Sequence, residues 1–152
     1  MAIAAQNCKL VSVTPPAAIV DNASYTTSEI DTLGFDYAKI VVYLGATDIA
    51  MTALAVTESD TSGAGHANVS GLVWGTAENI AGSTSTLPSA TDDNKFFVFD
   101  IDLKGRKRYL DVTATAGDGT SGTFAVIWAE LSRAEDTPTT AAQRGAAEVL
   151  RV

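Results

Sequence analysis

One cysteine, one histidine and few basic residues close off several classes of protein at once. A lone Cys8 cannot form an internal disulfide, nor can it build a cysteine-cluster zinc site. It reads as a small buried hydrophobe, since no His or Lys pattern nearby would activate its thiol. Any Ser-His-Asp triad would have to use His66, which lies in a Gly-rich stretch with no Gly-x-Ser-x-Gly elbow beside it. Ten Lys and Arg stand against 18 Asp and Glu, for a net charge of −8. That balance opposes wrapping a nucleic-acid backbone, which takes a basic surface that releases counterions. No apolar run reaches the roughly 18–20 residues of a membrane span. The start, MAIAAQNCKLVSV, lacks the basic and long apolar regions of a signal peptide. The expectation is a chain left in the cytoplasm, unless it leaves on a larger particle.

What is present suits a folded domain. Hydrophobic residues make up 46% of the 152 and charged residues 18%, a balance unlike that of disordered chains. The length suits one domain, with a core over about residues 7–136 and an arm over 137–152. No internal repeat or low-complexity block interrupts it.

The stretch KFFVFDIDLKGRKRYLDVTATAGDGTSGTFAVIWAEL organises the rest. Phe97, Phe99, Ile101 and Leu103 share one side of a period-2 pattern, with Asp100 and Asp102 on the other. Leu110, Val112 and Ala114 alternate with Asp111, Thr113 and Thr115. In the third piece Phe124, Val126 and Trp128 share one face, while Ala125, Ile127, Ala129 and Leu131 share the other. A strand apolar on both faces is central in a sandwich or covered by another chain. Gly-containing turns between the three pieces predict an antiparallel meander.

Upstream, residues 7–13 form a short strand that Pro15-Pro16 ends. Pieces at 17–20 and 25–30 are weaker. YAKIVVYL, residues 37–44, is a strong strand with Ala38, Ile40, Val42 and Leu44 on one face. Residues 49–58 read as strand despite their Ala, Met and Leu. Residues 59–94 are rich in Gly, Ser, Thr, Asn and Asp, with brief apolar pieces at 67–69 and 72–74. Connections of this kind often carry contacts. About eight strands and few helix signals predict an all-β antiparallel β-sandwich, with jelly-roll topology, long Gly/Ser/Thr-rich loops and extended terminal arms.

Candidate sites compete with plainer readings. Asp100 and Asp102 have the spacing of a glycosidase pair, but alternating Asp on a wet strand face is ordinary surface. Glu58, Asp60, Asp92, Asp93 and Asp118 are loop oxygens suited to calcium, without a regular Asp-x-Asp-x-Asp-Gly run. The expectation is no metal, no cofactor and no enzyme. Lys104, Arg106, Lys107 and Arg108 hold four of the ten basic residues. They either dock on an acidic protein surface or pair with Asp100, Asp102 and Asp111 across the sheet. Arg108 begins a strand and is expected to be partly buried. Trp128 reads as core. Trp74 anchors either a loop or an interface. The polar tail ends on an apolar tip, Val149, Leu150 and Val152, that could reach a neighbouring subunit.

Three segments carry a family resemblance: TLGFDYAKIVVYLGATD, ALAVTESDTSGAG and DLKGRKRYLDVTATAGDGTSGTFAVIWAELSRAED. They resemble the jelly-roll capsid cement, or decoration and head-stabilisation, proteins of tailed double-stranded-DNA bacteriophages. The matching positions are Leu54, Val56, Glu58 to Gly63, and Lys104 to Leu110, and the likeness spans roughly residues 32–136. The resemblance implies a non-enzymatic homodimer or homotrimer on the outer capsid surface, assembled in the host cytoplasm. It would clamp major capsid protein subunits after head expansion, without nucleic acid or membrane. Trp74, Lys104, Arg106, Lys107, Arg108, Trp128, Arg144, Val149 and Leu150 are the candidate capsid or self-interface residues. A glycan-binding sandwich that uses Trp74 and the loop from Ser59 to His66 is the alternative, as is a tail or head–tail component.

Overall fold

The computed structural model describes residues 7–150. Eight strands follow one another: β1 (Cys8–Thr14), β2 (Ile30–Asp31), β3 (Phe35–Thr47), β4 (Ala53–Ser59), β5 (Ala67–Val73), β6 (Phe96–Asp102), β7 (Tyr109–Thr115) and β8 (Thr123–Ala134). They form two four-stranded antiparallel sheets, ordered β1-β8-β3-β6 and β2-β7-β4-β5. β1 pairs with β8, β2 with β7, β3 with β6 and β4 with β5. The chain is thus folded back on itself at the β4–β5 connection, and the resulting ribbon is wrapped into two sheets. That is the jelly roll, and β3–β8 and β4–β7 pairing closes each sheet.

The inward faces follow the period-2 pattern. Ile40, Val42, Leu44, Ile127, Ala129 and Leu131 from the first sheet meet Leu54, Val56, Leu110, Val112 and Ala114 from the second, all buried. Each fully buried aliphatic side chain contributes about 1.5–3 kcal/mol by leaving water. Tyr25 joins this core, and its hydroxyl donates to the Thr123 carbonyl at 2.5 Å. Burial pushes its pKa up to about 12.

The expected meander does not form. β7 lies in the opposite sheet, and β3 separates β6 from β8. Both turns between these pieces cross from sheet to sheet. The first closes at Leu103–Arg106 and then reaches the β2 edge through Thr32, whose amide donates to the Arg108 carbonyl. The second packs so tightly that a Cβ on Gly117 would overlap the Ala50 carbonyl and one on Gly119 the Asp48 carboxylate. Alternation shows which face of a strand is buried, but not which strand lies beside it.

Smaller differences share one cause, the capture of short apolar pieces by loop packing. β4 starts at Ala53, four residues late, and Met51 is buried where its amide donates to the Pro88 carbonyl. Of the piece at 25–30, only Ile30 enters a strand, while Val20 makes an isolated bridge to Thr123. The two apolar pieces at 67–74 belong to one strand, β5, up to Val73.

The C-terminal segment is not an extended arm over its described length. A short 3-10 helix, Ala142–Arg144, contacts β1, and Gly145 ends it with φ +70°. A Cβ on Gly145 would overlap the Leu10 carbonyl, so only glycine fits against this edge. Arg144 Nε also donates to the Pro138 carbonyl at 3.1 Å. Gly145→Val is expected to lift the segment from β1. Limited proteolysis within 137–150 should then accelerate about tenfold or more, with the sandwich melting within about 4 °C of the parent. The arm expected before residue 7 and the tail tip at Val152 lie outside the described residues.

Candidate interaction surface

Because Ile40, Val42, Phe99, Ile101, Ile127 and Ala129 point inward, their alternates on β3, β6 and β8 project from the sandwich. The registers set them in rows. Phe96, Tyr43 and Val126 form one row; Val98, Val41 and Trp128 the next; Asp100, Lys39 and Glu130 the third; and Asp102, Tyr37 and Ser132 the fourth. β1 extends three rows with Ser12, Leu10 and Cys8. One half of this outer face is therefore apolar and the other polar and charged.

The apolar half is built like an interior layer. Tyr43 and Phe96 stack at 4.5 Å between ring centroids. Val41 is only 7% exposed although it points away from the core. Yet Phe96 remains 60% exposed, Val98 38% and Tyr43 37%. Contiguous exposure of this kind marks an interaction surface more often than scattered apolar residues do. In the charged half Lys39 faces Asp100 at 3.8 Å, and Trp128 Nε1 donates to Glu130 Oε1 at 3.2 Å.

Trp128 is therefore not core. It stands half-buried on the outer face, because β8 gives its inward positions to Ala125, Ile127, Ala129 and Leu131. Cys8 is also not a core residue: it is half-buried on the outer side of β1, opposite Ser132. Burial, and secondarily the charge of Glu130, raise its thiol pKa.

Trp74 sits at the open side of the sandwich, beyond β5. Its ring meets Phe97 and Phe99 edge-on, at 5.2 and 6.0 Å. The basic turn is already engaged with this chain's own carboxylates. Arg106 pairs with Glu58 at 3.5 Å, Lys107 with Asp60 at 3.9 Å, and Arg108 with Asp31 through two bonds of 2.8 Å. These partners come from β2 and the β4 end, not from Asp100, Asp102 or Asp111. The jelly-roll crossing carries the turn to the second sheet. Arg108, 43% exposed at its side chain, also stacks over the Tyr109 ring at 4.8 Å. Lys104 donates its amide to Asp102 Oδ1 at 2.9 Å. Val149 lines a small hollow with Thr139, Ala141 and Arg144, and Leu150 is 93% exposed. The interface candidates therefore lie in separate places: Trp128 on the outer face, Trp74 at the open side, the basic turn at the second sheet, and the tail at the β1 edge.

The loop carboxylates are also spread apart. Asp92 accepts from Ser89 and Lys95, Asp93 from the Thr47 amide, and Glu58 from the Lys107 amide. Among the described residues no group of three or more acidic, His or Cys side chains is placed to hold a metal ion. His66 Nε2 lies 3.1 Å from Glu29 Oε2 without hydrogen-bond alignment. Ser62 donates to Glu29 and not to His66, so the three do not make a nucleophile–base relay. Among the described residues no helix is long and apolar enough to cross a membrane.

Several carboxylates cap loops through backbone amides. Asp48 accepts from the Ser121 and Thr120 amides, and Glu29 from the Gly63 amide and the Ser62 hydroxyl. These bonds favour the charged form and lower both pKa values. Hydrogen bonding from Arg108 lowers Asp31, and Lys95 with Ser89 lowers Asp92. Each folded pKa lies below its unfolded value, so the stabilisation is present above about pH 4–5 and lost as pH falls through the folded values. The melting temperature is expected to hold from pH 7 to about 5 and to drop below about 4. Asp48→Asn should melt lower at pH 7 and show a shallower acid limb; an unchanged limb would remove Asp48 from this account.

No protein-family model and no curated protein matches the chain. The solved structure of SPBc2 prophage-derived protein YomS aligns with 83% of this chain and 95% of its own, at 12% identity and a TM-score of 0.44. The sequence marks the Val126 and Trp128 strand as central or covered by another chain, but Tyr43, Phe96 and Val98, which widen that face into a surface, were passed over. Their signal was a second apolar alternation, on the outward side of the same strands.

Proposed function

We propose that this chain is a non-enzymatic structural virion protein of a tailed bacteriophage. It binds the outside of the head through the outer face of the β1-β8-β3-β6 sheet and ties major capsid protein subunits together. The observation that carries this reading is the apolar half of that face, Phe96, Tyr43, Val98, Val41, Val126 and Trp128. The segment resemblance over residues 32–136 supports the same reading. Burying three exposed aromatic and aliphatic side chains per copy is modest beside the ~800 Å² per partner of a stable interface. An oligomer that repeats the contact gains through effective concentration what one contact lacks. The charged rows beside the apolar half would set orientation.

The test is co-sedimentation of purified protein with expanded and unexpanded heads of the phage that encodes it. Saturable binding to expanded heads supports the proposal. Absence of binding to both, by folded protein, ends it.

A further inference from the structure

We propose that the edge of β6, which no strand among the described residues pairs with, is a pairing groove for an extended strand of a partner polypeptide, apolar over one half and basic over the other. This goes beyond docking through the outer face, because the contact is made by backbone. It follows from a comparison of the four sheet edges. An unpaired edge invites another strand, and folded proteins normally blunt it. The β1 edge is occupied by the chain's own Gly145. β2 is two residues long. β5 contains Gly71 and breaks register opposite Ala55/Thr57. β6 has none of these three devices, and of the usual blunting features it carries charge, at Asp100 and Asp102. It runs seven residues, FFVFDID, in unbroken register with β3, without proline, glycine or lysine.

The space beside it is shaped for a guest. A cleft of about 430 Å³ lies between this edge and the β5 side, lined by Phe96 to Asp100, Leu72, Trp74 and Ile80 among others. That is within the ~300–1,000 Å³ of ligand-sized clefts. Ile80 is fully exposed at its rim. The Trp74 indole N–H is out of solvent and meets no acceptor in the described chain, whereas a buried indole normally finds one. An incoming strand brings backbone carbonyls to this cleft.

Charge selects the occupant. On its outer side β6 presents Phe96, Val98, Asp100 and Asp102 in order. Cross-strand neighbours interact directly, so an antiparallel guest is favoured by cations opposite the two Asp residues, at Asp100 beside its long, exposed 3.8 Å pair with Lys39, and by apolar side chains opposite Phe96 and Val98. A second copy of β6 does not supply this. Antiparallel self-pairing about Val98 sets Phe96 against Asp100, and pairing about Phe99 sets Val98 against Asp100.

The experiment uses the full chain, isotope-labelled for amide NMR, and needs no capsid. The probe is the end-capped heptapeptide Lys-Thr-Lys-Val-Val-Leu-Ile; the control replaces both lysines with glutamate. Expected are shifts confined to the amides of 96–102 and the Trp74 indole N–H, with a dissociation constant of about 0.1–1 mM and control binding about tenfold weaker or worse. Asp100→Lys with Asp102→Lys, both on exposed positions, should reverse the preference between the two peptides. The proposal is overturned by no shifts up to about 5 mM, by shifts elsewhere, or by equal response to both peptides. It is also overturned if the chain alone is an oligomer with its 96, 98, 100 and 102 amides protected, since those amides point away from β3 and the edge is then filled by a second copy. Failure here leaves docking through the outer face standing, because that is read on heads.

Discussion

Ile127→Ala is expected to destabilise the sandwich by about 3 kcal/mol, within the 2–5 kcal/mol range for buried Ile→Ala changes. The side chain is fully buried. It sits on β8, opposite Val42 of β3 and Thr14 of β1, so neighbours on both sides are held by the sheet and cannot close the void. A chain of 152 residues should lose about 6–12 °C of melting temperature for that change. Urea unfolding followed by tryptophan fluorescence reads it directly. A loss below about 1 kcal/mol would mean that β8 is not a central strand.

Its immediate neighbour gives the second large effect, of a different kind. Val126 points to the opposite face, in the row with Phe96 and Tyr43. Val126→Lys, alone or with Val98→Lys, should leave stability within about 1 kcal/mol. On the proposed reading it should weaken binding to expanded heads about a hundredfold or more, since each contact desolvates a lysine and avidity multiplies the loss. Arg106→Glu with Lys107→Glu is the contrasting pair. Their partners are Glu58 and Asp60 of the same chain, so the main expected cost is local to that turn. Co-sedimentation of the three variants separates the outer face from the basic turn. If the turn variant loses binding and the Val126 variant keeps it, the docking surface is wrongly placed.

Much of this architecture was legible in the residues. The inward sets Ala38-Ile40-Val42-Leu44 and Leu110-Val112-Ala114 follow from alternation alone, because a half-buried strand must place apolar side chains on one side. The jelly roll was legible as a class. Its pairings were not, since β1–β8 and β2–β7 contacts are decided by the summed packing of distant segments, which no local pattern carries. Trp128 shows the same limit at one residue. A strand apolar on both faces does not say which face holds the tryptophan inside. Here small and aliphatic residues fit between the sheets and the indole lies outside, tied to Glu130. The roles of Asp48 and Glu29 as acceptors of loop amides were hidden as well, because Asp48 meets Ser121 and Thr120 across more than seventy residues. The groove at β6 could be seen only once the other three edges were known.

The central claim is that this chain is a repeated part of a phage shell. Its most direct test is the number of copies per purified virion, by quantitative mass spectrometry against the major capsid protein. The account expects a number on the order of 100 or more, in fixed ratio to the capsid subunits of a symmetric shell. A count of about a dozen or fewer would place the chain at a connector or tail ring instead, and its absence from the particle would contradict the account outright.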